Sequence, residues 1–261
     1  MDLETIKRIG IRAAYRAGRI LNDHFGKTLQ VTKKGAIDLV TEADLASEKA
    51  IIATITEVFA DHSILAEESG ASVGNGRDRW IIDPLDGTTN FAHRLPIFAV
   101  SIAYARDDVV LMGIVFNPAN GELFTAVEDQ GARLNDAPIF VSTTPTVGDS
   151  LLVTGFPYTV RSVSPTLTIE RFTHCLTASQ GVRRLGSAAL DLCYVACGRF
   201  DGFWEENLKP WDTAAGMLIA REAGGRVTDY ADQPFHIDDK QILATNTAIH
   251  QEMVRLLISE D

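Results

Sequence analysis

Cysteine, long apolar runs and leader-like segments are scarce in this sequence, and each scarcity excludes a class of protein. Only three of the 261 residues are cysteine and no Cys-x-x-Cys pair occurs, so we expect reduced thiols in the cytoplasm rather than a disulfide framework. No run of about 18 apolar residues exists, so we expect no membrane-spanning helix. The first residues are acidic and lack a basic segment and a cleavage site, so no signal peptide is expected.

Positive charge is scarce as well. The chain has 24 Lys and Arg residues against 35 Asp and Glu residues, which leaves a net charge of -11. Such a surface repels the phosphates of DNA and RNA, so we expect no direct binding to nucleic acid. It would repel a phosphorylated small molecule too, unless bound cations neutralise some of the acids. The 46% of hydrophobic residues exclude a disordered chain.

The apolar patterns predict two differently organised halves. Three- and four-residue apolar steps predict a helix from Leu3 to about Gly26 and another that starts near Thr41. Short runs separated by turn residues then predict an antiparallel meander. The strands of this meander are expected at residues 63–66, 80–82, 98–105, 109–116, 122–127 and 138–141.

Strand and helix patterns alternate after residue 142, which predicts α/β layering around a mostly parallel sheet. We expect strands at residues 151–154, 182–185, 200–204, 226–228 and 242–244, and helices at 165–179, 187–197, 212–223 and 247–258. The sequence therefore predicts an α+β domain with an antiparallel sheet over residues 1–143 and an α/β domain over residues 144–261.

The most informative segment is Trp-Ile-Ile-Asp-Pro-Leu-Asp-Gly-Thr-Thr-Asn at residues 80–90. An apolar strand brings Asp83 and Asp86 into a turn shaped by Pro84 and Gly87, and two threonine hydroxyls follow. Paired carboxylates at a strand end are the hard oxygen ligands that Mg²⁺ prefers. A solvated Asp-rich turn is the ordinary alternative, and a calcium loop would need a different alternation of acids.

Three further acidic positions are ambiguous when each is taken alone. Glu67 and Glu68 follow an apolar strand directly, as many surface acids do. Asp44 lies three residues after Thr41 and would suit a helix capping box. Asp212 opens a helix at an N-cap position, and the small residues after it allow that helix to pack closely on a neighbour.

Taken together, these segments resemble the inositol monophosphatase family of the lithium-sensitive, magnesium-dependent sugar phosphatases. The family is marked by Asp-Pro-x-Asp-Gly-Thr-x-Asn, here at residues 83–90, and by Trp-Asp-x-Ala-Ala-Gly running on to Glu-Ala-Gly-Gly, here at 211–225. Val-Thr-x-x-Asp at 40–44 and the acid pair at 67–68 match too, although Ala66 replaces the usual Gly. The resemblance covers nearly the whole chain and implies a layered α-β-α-β-α sandwich and a homodimer.

The resemblance also implies two to three Mg²⁺ ions in one site. The first ion would bind Glu67, Asp83 and the carbonyl of Leu85, and the second would bind Asp83, Asp86 and Asp212. A weaker third ion would lie near Glu67. Most of these ligands belong to the predicted first domain, whereas Asp212 and the residues that contact the alcohol belong to the second.

For catalysis, the resemblance implies direct attack of a metal-activated water near Glu67, without a phosphoenzyme. Thr88 and Asp44 would orient this water and accept its proton. The sequence offers no Cys or His nucleophile with supporting partners, in agreement with attack by water.

The residues expected to contact the substrate form two groups. The phosphate would meet the metal site and the backbone N–H groups at the start of a helix: Glu67, Leu85, Asp86, Gly87, Thr88 and Asp212. The alcohol would meet Gly186, Ser187, Ala188 and Glu205. Ser187 would also suit an N-cap, and Glu205, beside Glu206, would also suit a surface acid. Lys209 stands where some relatives have His.

The sequence thus predicts hydrolysis of myo-inositol monophosphate, with inhibition by lithium as a family expectation. A fructose-1,6-bisphosphatase or a 3′-nucleotide phosphatase of the same superfamily is the nearest alternative. A different class of alternative is a binding role in a transcription complex, because some bacterial members that resemble this chain act there.

Overall fold

The computed structural model describes residues 2–27, 31–33, 39–74, 76–157 and 166–258. The first residue of the helix predicted at 165–179 lies outside these ranges. Within them the helices are α1 Leu3–His24, α2 Glu42–Thr56, α3 Thr88–Ala92, α4 Thr166–Ala178, α5 Ala188–Ala196, α6 Pro210–Glu222 and α7 His250–Leu257. A short 3₁₀ turn spans Val147–Asp149.

The strands of the described ranges form a two-stranded ribbon and two larger sheets. The ribbon pairs β1 Val31–Lys33 with β2 Leu39–Thr41. The first large sheet contains β3 Ser63–Ala66, β4 Gly70–Ser72, β5 Asp78–Asp86, β6 Ala99–Arg106, β7 Val109–Asn117, β8 Glu122–Val127, β9 Ala132–Leu134 and β10 Ala137–Ile139. The second contains β11 Leu151–Thr154, β12 Gly181–Arg183, β13 Gly202–Glu206, β14 Arg226–Thr228 and β15 Gln241–Thr245.

The first large sheet has the strand order β10-β9-β8-β7-β6-β5-β3-β4. Its strands from β5 to β10 form the predicted antiparallel meander. β3 is the exception, because it pairs parallel to β5 with Ala66 opposite Ile82. Parallel pairing brings the carboxyl ends of β3 and β5 to the same edge of the sheet, and this edge carries the candidate site.

The second large sheet has the order β12-β11-β13-β15-β14, and four of its five strands run in the same direction, as predicted for a mostly parallel sheet. β11 pairs parallel with β12 and β13, but β15 pairs antiparallel with both β13 and β14. β15 runs in the opposite direction because the connection after β14 contains no described helix, so the chain turns back and pairs alongside β14.

The helices and sheets stack in five layers, which confirms the α-β-α-β-α sandwich. α1 and α2 cover one face of the first sheet through a core that includes Ile9, Ile51 and Trp80. α5 and α6 lie between the two large sheets, in a core that joins Leu192 and Ile219 to residues of both sheets. α4 and α7 cover the outer face of the second sheet. A division into domains at residue 143 stays a prediction.

Small residues let α6 approach its neighbours very closely, as the run after Asp212 predicts. A Cβ placed on Gly113 of β7 would lie 2.6 Å from the Ala215 carbonyl oxygen of α6. A Cβ placed on Gly216 would lie 2.7 Å from the Cβ of Leu192 on α5. Glycine is therefore required at both contacts. Within the described ranges, no helix has the length and the apolar character needed to cross a membrane.

Candidate active site

The paired ends of β3 and β5 place Glu67 beside Asp83. The Glu67 backbone N–H donates to the Ile82 carbonyl at 3.1 Å, which extends the parallel pairing by one residue. Asp83 is only 2% exposed, and its Oδ1 accepts the Leu85 N–H at 2.9 Å. An irregularity in the pairing of β5 with β6 then lies between Asp83 and Asp86. Such a bulge redirects the side chains that follow it, so both aspartates reach the site.

Asp86 links the first sheet to the helix layer. Its Oδ2 accepts hydrogen bonds from the Ser187 hydroxyl at 2.6 Å and from the Ala189 N–H at 2.8 Å. Ser187 does occupy the N-cap position of α5, but its hydroxyl makes no cap hydrogen bond. The Asp86 carboxylate, which comes from β5, therefore accepts a backbone N–H of the first turn of α5. The Ser187 hydroxyl binds this carboxylate and does not cap its own helix.

Asp44 caps α2 and contacts Thr88 at the same time. Its Oδ2 accepts from the N–H and the hydroxyl of Thr41 at 2.8 and 2.5 Å, which confirms the capping box. Its Oδ1 accepts from the Thr88 hydroxyl at 3.1 Å. The Thr88 oxygen also lies 3.0 Å from the Leu85 carbonyl oxygen. The cap and the site role predicted for Asp44 are thus compatible.

The turn that carries the motif is held tightly. Gly87 has a φ of 91°, and a Cβ there would lie 2.9 Å from the Ile97 carbonyl oxygen. The amide of Asn90 lies 2.8 Å from the carbonyl oxygens of both Ile97 and Leu185. The turn is therefore fixed against both the first sheet and the segment that leads to α5.

Asp212 is the third residue of α6 rather than its N-cap, so that prediction is wrong. The helix begins at Pro210, because proline suits the first helical position, and Lys209 is the N-cap. The Asp212 Oδ2 accepts the Lys209 N–H at 2.7 Å. The carboxylate still lies at the helix start, where its charge is within reach of Asp83 and Asp86.

Glu205 is buried on β13, so the alternative of a surface acid is wrong. It is 9% exposed, and a Cβ on Gly155 would lie 2.1 Å from its Oε1. Its neighbour Glu206 points elsewhere and pairs with Arg171.

The acids of the site are buried away from water and repel one another. Burial raises the pKa of Asp83 well above its ordinary value, and the charges of Glu67, Asp86 and Asp212 raise it further. Burial also raises the pKa of Asp212, with Asp86 as the next cause, and that of Asp86 to about 6. Burial and the Asp212 charge raise the pKa of Glu205 to about 8. Added positive charge would relieve this repulsion.

The donor set suits a hard cation: carboxylates with a backbone carbonyl and a hydroxyl nearby. In the described part of the chain, no three His, Cys, Asp or Glu side chains are gathered into a group that could hold a metal ion by themselves. The acids are therefore close enough to share an electrostatic field without forming a closed cage. Mg²⁺ does not require one, since it usually keeps several waters and uses one or two carboxylates plus phosphate oxygens.

Sequence reasoning missed two residues of α2 that hold the site in place. The buried Glu48 carboxylate accepts the N–H groups of Glu68 and Ser69 at 2.8 and 2.9 Å, and so fixes the turn that carries Glu67. The Ser47 hydroxyl donates to the Pro84 carbonyl at 2.8 Å. The only signal was their spacing, three and four residues after Asp44, which places them on the same side of the helix.

Comparisons with known proteins agree with this geometry. The model of the inositol monophosphatase family matches residues 2–260. An inositol-1-monophosphatase of Synechocystis is 48% identical over 98% of this chain and 90% of its own length. A protein of Pasteurella multocida named Nus factor SuhB is 43% identical over 94% and 93%.

Solved structures agree as well. The extragenic suppressor protein suhB of Bartonella henselae superposes with a TM-score of 0.94 at 40% identity, covering 98% of this chain and 100% of that one. The inositol monophosphatase of Anabaena (Nostoc) superposes with a TM-score of 0.89 at 44% identity, covering 98% and 96%.

Proposed function

Because this chain belongs to the inositol monophosphatase family, we propose that it hydrolyses myo-inositol monophosphate to inositol and phosphate with Mg²⁺ as cofactor. Membership supports a phosphatase, and the family is generally metal-dependent. The observation that carries the finer proposal is the convergence of Glu67, Asp83, Asp86 and Asp212 from three separate segments into one field of mutual repulsion.

Two to three Mg²⁺ ions complete the proposed site. Glu67, Asp83 and the Leu85 carbonyl would hold one, and Asp83, Asp86 and Asp212 would hold the next. When bound, the ions supply charge for the phosphate and lower the pKa of a water. The five acids of the site, these four and Asp44, carry five of the negative charges of the chain, so two divalent ions would reduce the local charge from -5 to -1.

The chain itself supplies the orientation and the proton acceptor for the attacking water. The Thr88 hydroxyl accepts the proton of the water while it passes its own proton to Asp44 Oδ1, along the existing 3.1 Å hydrogen bond. Burial raises the pKa of Asp44, which makes it a better base than an ordinary aspartate. Hydrogen bonds from Thr41 keep its other oxygen in place.

The alcohol half of the substrate would lie against Gly186, Ser187, Ala188 and Glu205. The hydrogen bonds from Ser187 and Ala189 to Asp86 support this placement, because they join the segment to the metal site. The phosphate would be held by the ions and by the N–H groups of Gly87 and Thr88 at the start of α3.

The test measures phosphate release by the purified protein from inositol 1-phosphate, fructose 1,6-bisphosphate and 3′-phosphoadenosine 5′-phosphate, with Mg²⁺ and with EDTA. Asp83→Asn and Glu67→Gln should fold normally and lose most turnover with inositol 1-phosphate. Glu128→Gln, an exposed acid outside the site, is the control and should match the unaltered protein. A strong preference for either of the other substrates would overturn the inositol assignment, and full activity in EDTA would overturn the metal assignment.

Inhibition by lithium, a homodimer and a cytoplasmic location complete the proposal. Lithium would be added at millimolar concentration in the same assay, and light scattering of the eluting protein would measure the mass of the assembly.

A second candidate function is a binding role in transcription, which the relatives named Nus factor SuhB favour. In that case Asp83→Asn would leave the cellular role intact, whereas loss of a surface distant from the site would abolish it. A strain that carries only Asp83→Asn separates the two functions.

A further inference from the structure

Asn90 is a buried polar residue that the proposed reaction does not use. It is the third residue of α3 and is 6% exposed. Its Nδ2 donates to the carbonyl oxygens of Ile97 and Leu185, each at 2.8 Å, and the Gly186 carbonyl oxygen lies 3.4 Å away. An amide nitrogen carries two hydrogens, so Asn90 gives one to the segment before β6 and the other to the segment that leads to α5.

The phosphate end and the alcohol end of the proposed site meet at this point. The Asp86 carboxylate accepts from the Ser187 hydroxyl at 2.6 Å. A Cβ on Gly87 would lie 3.2 Å from the Gly186 carbonyl oxygen, so the two backbones are in close contact. The Asn90 amide is a third link between the two segments, and it binds backbone carbonyl groups of the second.

The carbonyl groups that turn toward Asn90 determine where the N–H groups of the same peptides point. In a trans peptide the C=O and the N–H point in opposite directions. The carbonyls of Leu185 and Gly186 both face Nδ2, so the N–H groups of the following residues, Gly186 and Ser187, both face away from it. Gly186 has a φ of 88°, a left-handed conformation that glycine adopts readily. Successive N–H groups that face one side of such a turn form a concave nest for an electron-rich oxygen.

Neither of these two N–H groups donates a hydrogen bond to another residue in the part of the chain that the structure describes. Ser187 is 1% exposed, and a buried N–H is nearly always hydrogen-bonded. A substrate oxygen would supply the acceptor. The hydroxyl oxygens of a polyol are suitable, since a hydroxyl accepts hydrogen bonds as well as donating one.

We propose that Asn90 is a positioning residue for alcohol recognition: by holding two successive carbonyl groups, it aims the N–H groups of Gly186 and Ser187 at a hydroxyl oxygen of the substrate. Asn90 acts through the backbone of the neighbouring segment and does not itself touch the substrate. The inference rests on the proposed function for the nature of the substrate, an ester of a polyol.

The proposal predicts an effect that depends on the alcohol. Asn90→Ala should raise the KM for inositol 1-phosphate about tenfold, the loss expected for one hydrogen bond to the substrate. It should lower kcat/KM for p-nitrophenyl phosphate no more than about twofold, since that leaving group has no alcohol hydroxyl. Asn117→Ala is the matched control: it removes another buried amide, which bonds to Pro96 and Ala119, and should affect both esters alike.

Equal losses with both esters in Asn90→Ala would show a merely structural role and overturn the proposal, as would an unchanged KM for inositol 1-phosphate. If Asn90→Ala does not fold, Asn90→Ser, which keeps a shorter donor, is compared in the same way. If the unaltered protein releases no phosphate from inositol 1-phosphate, the proposed function fails. Fructose 1,6-bisphosphate, another polyol ester, then tests Asn90 against p-nitrophenyl phosphate.

A second readout is independent of turnover. In the protein with Mg²⁺ and phosphate, added myo-inositol should shift the backbone amide NMR signals of Gly186 and Ser187, because their N–H groups gain an acceptor. Asn90→Ala should raise the inositol concentration needed for this shift about tenfold. Amide signals that do not respond to inositol in the unaltered protein would overturn the proposal.

Discussion

Replacing Glu205 by Gln should stabilise the metal-free protein, and increasingly so as the pH rises. Burial and the Asp212 charge raise the pKa of Glu205 from 4.5 to about 8. The folded chain therefore keeps a proton that the unfolded chain releases between these values, so the free energy of unfolding falls as the pH rises through this window. Gln carries no such proton, and its contribution does not change with pH.

The size of the effect follows from linkage. With a pKa of 4.5 in the unfolded chain and about 8 in the folded chain, the Glu205 carboxyl lowers the free energy of unfolding. The decrease is about 1 kcal/mol at pH 5, about 3 kcal/mol at pH 7 and about 5 kcal/mol at pH 9. The stability gain of Glu205→Gln should therefore grow by about 4 kcal/mol from pH 5 to pH 9.

Urea unfolding in EDTA at pH 5, 7 and 9, followed by circular dichroism, measures this difference. Glu206→Gln is a suitable control, because that half-buried neighbour pairs with Arg171 and its replacement should destabilise the protein at neutral pH. The reasoning is refuted if the unaltered protein and Glu205→Gln lose stability in parallel across the three pH values.

Three further predictions concern the supports of the site. Glu48→Gln leaves one acceptor for two backbone N–H groups, so the turn that carries Glu67 should loosen. Half-maximal activity should then need about tenfold more Mg²⁺, which is the effect of one lost hydrogen bond, and a Mg²⁺ titration of the rate checks this. Gly87→Ala should lower the unfolding free energy by roughly 1–3 kcal/mol, measured by urea unfolding, because φ is 91° and the added Cβ meets a carbonyl. Thr88→Val keeps the shape but removes the donor to Asp44, so kcat should fall about 100-fold with KM little changed, and an unaltered kcat would exclude the proposed proton path.

Sequence patterns predicted the long elements well, because many residues contribute to each periodicity. β3, β8, β11 and β14 have the predicted bounds, and the other predicted strands and helices differ mainly at their ends. β1, β2, β4, β9 and the five-residue α3 were missed. Segments of three to five residues show no periodicity, so the equally short β3, β11 and β14 were placed from the turn residues around them rather than from a period. The direction of β15 depends on how its connection packs, which no local pattern records.

The acids proposed for the site could be identified from motifs, but the residues that support them could not. Glu48 and Asn90 act on backbone groups of distant segments, and only the assembled fold brings these groups within reach. The start of α6 was misplaced by two residues because Pro210, rather than Asp212, opens the helix.

The close packing of α6 against its neighbours limits which substitutions the chain can tolerate there. Gly113 and Gly216 fix how far this helix lies from β7 and α5, and Asp212 sits at its N-terminal end. An added methyl group at either glycine would push α6 away from its neighbour, and Asp212 would be displaced with the helix. Residues outside the proposed metal site therefore determine where one of its carboxylates lies, and the tolerance for change at such buried glycines should be as narrow as at the acids themselves.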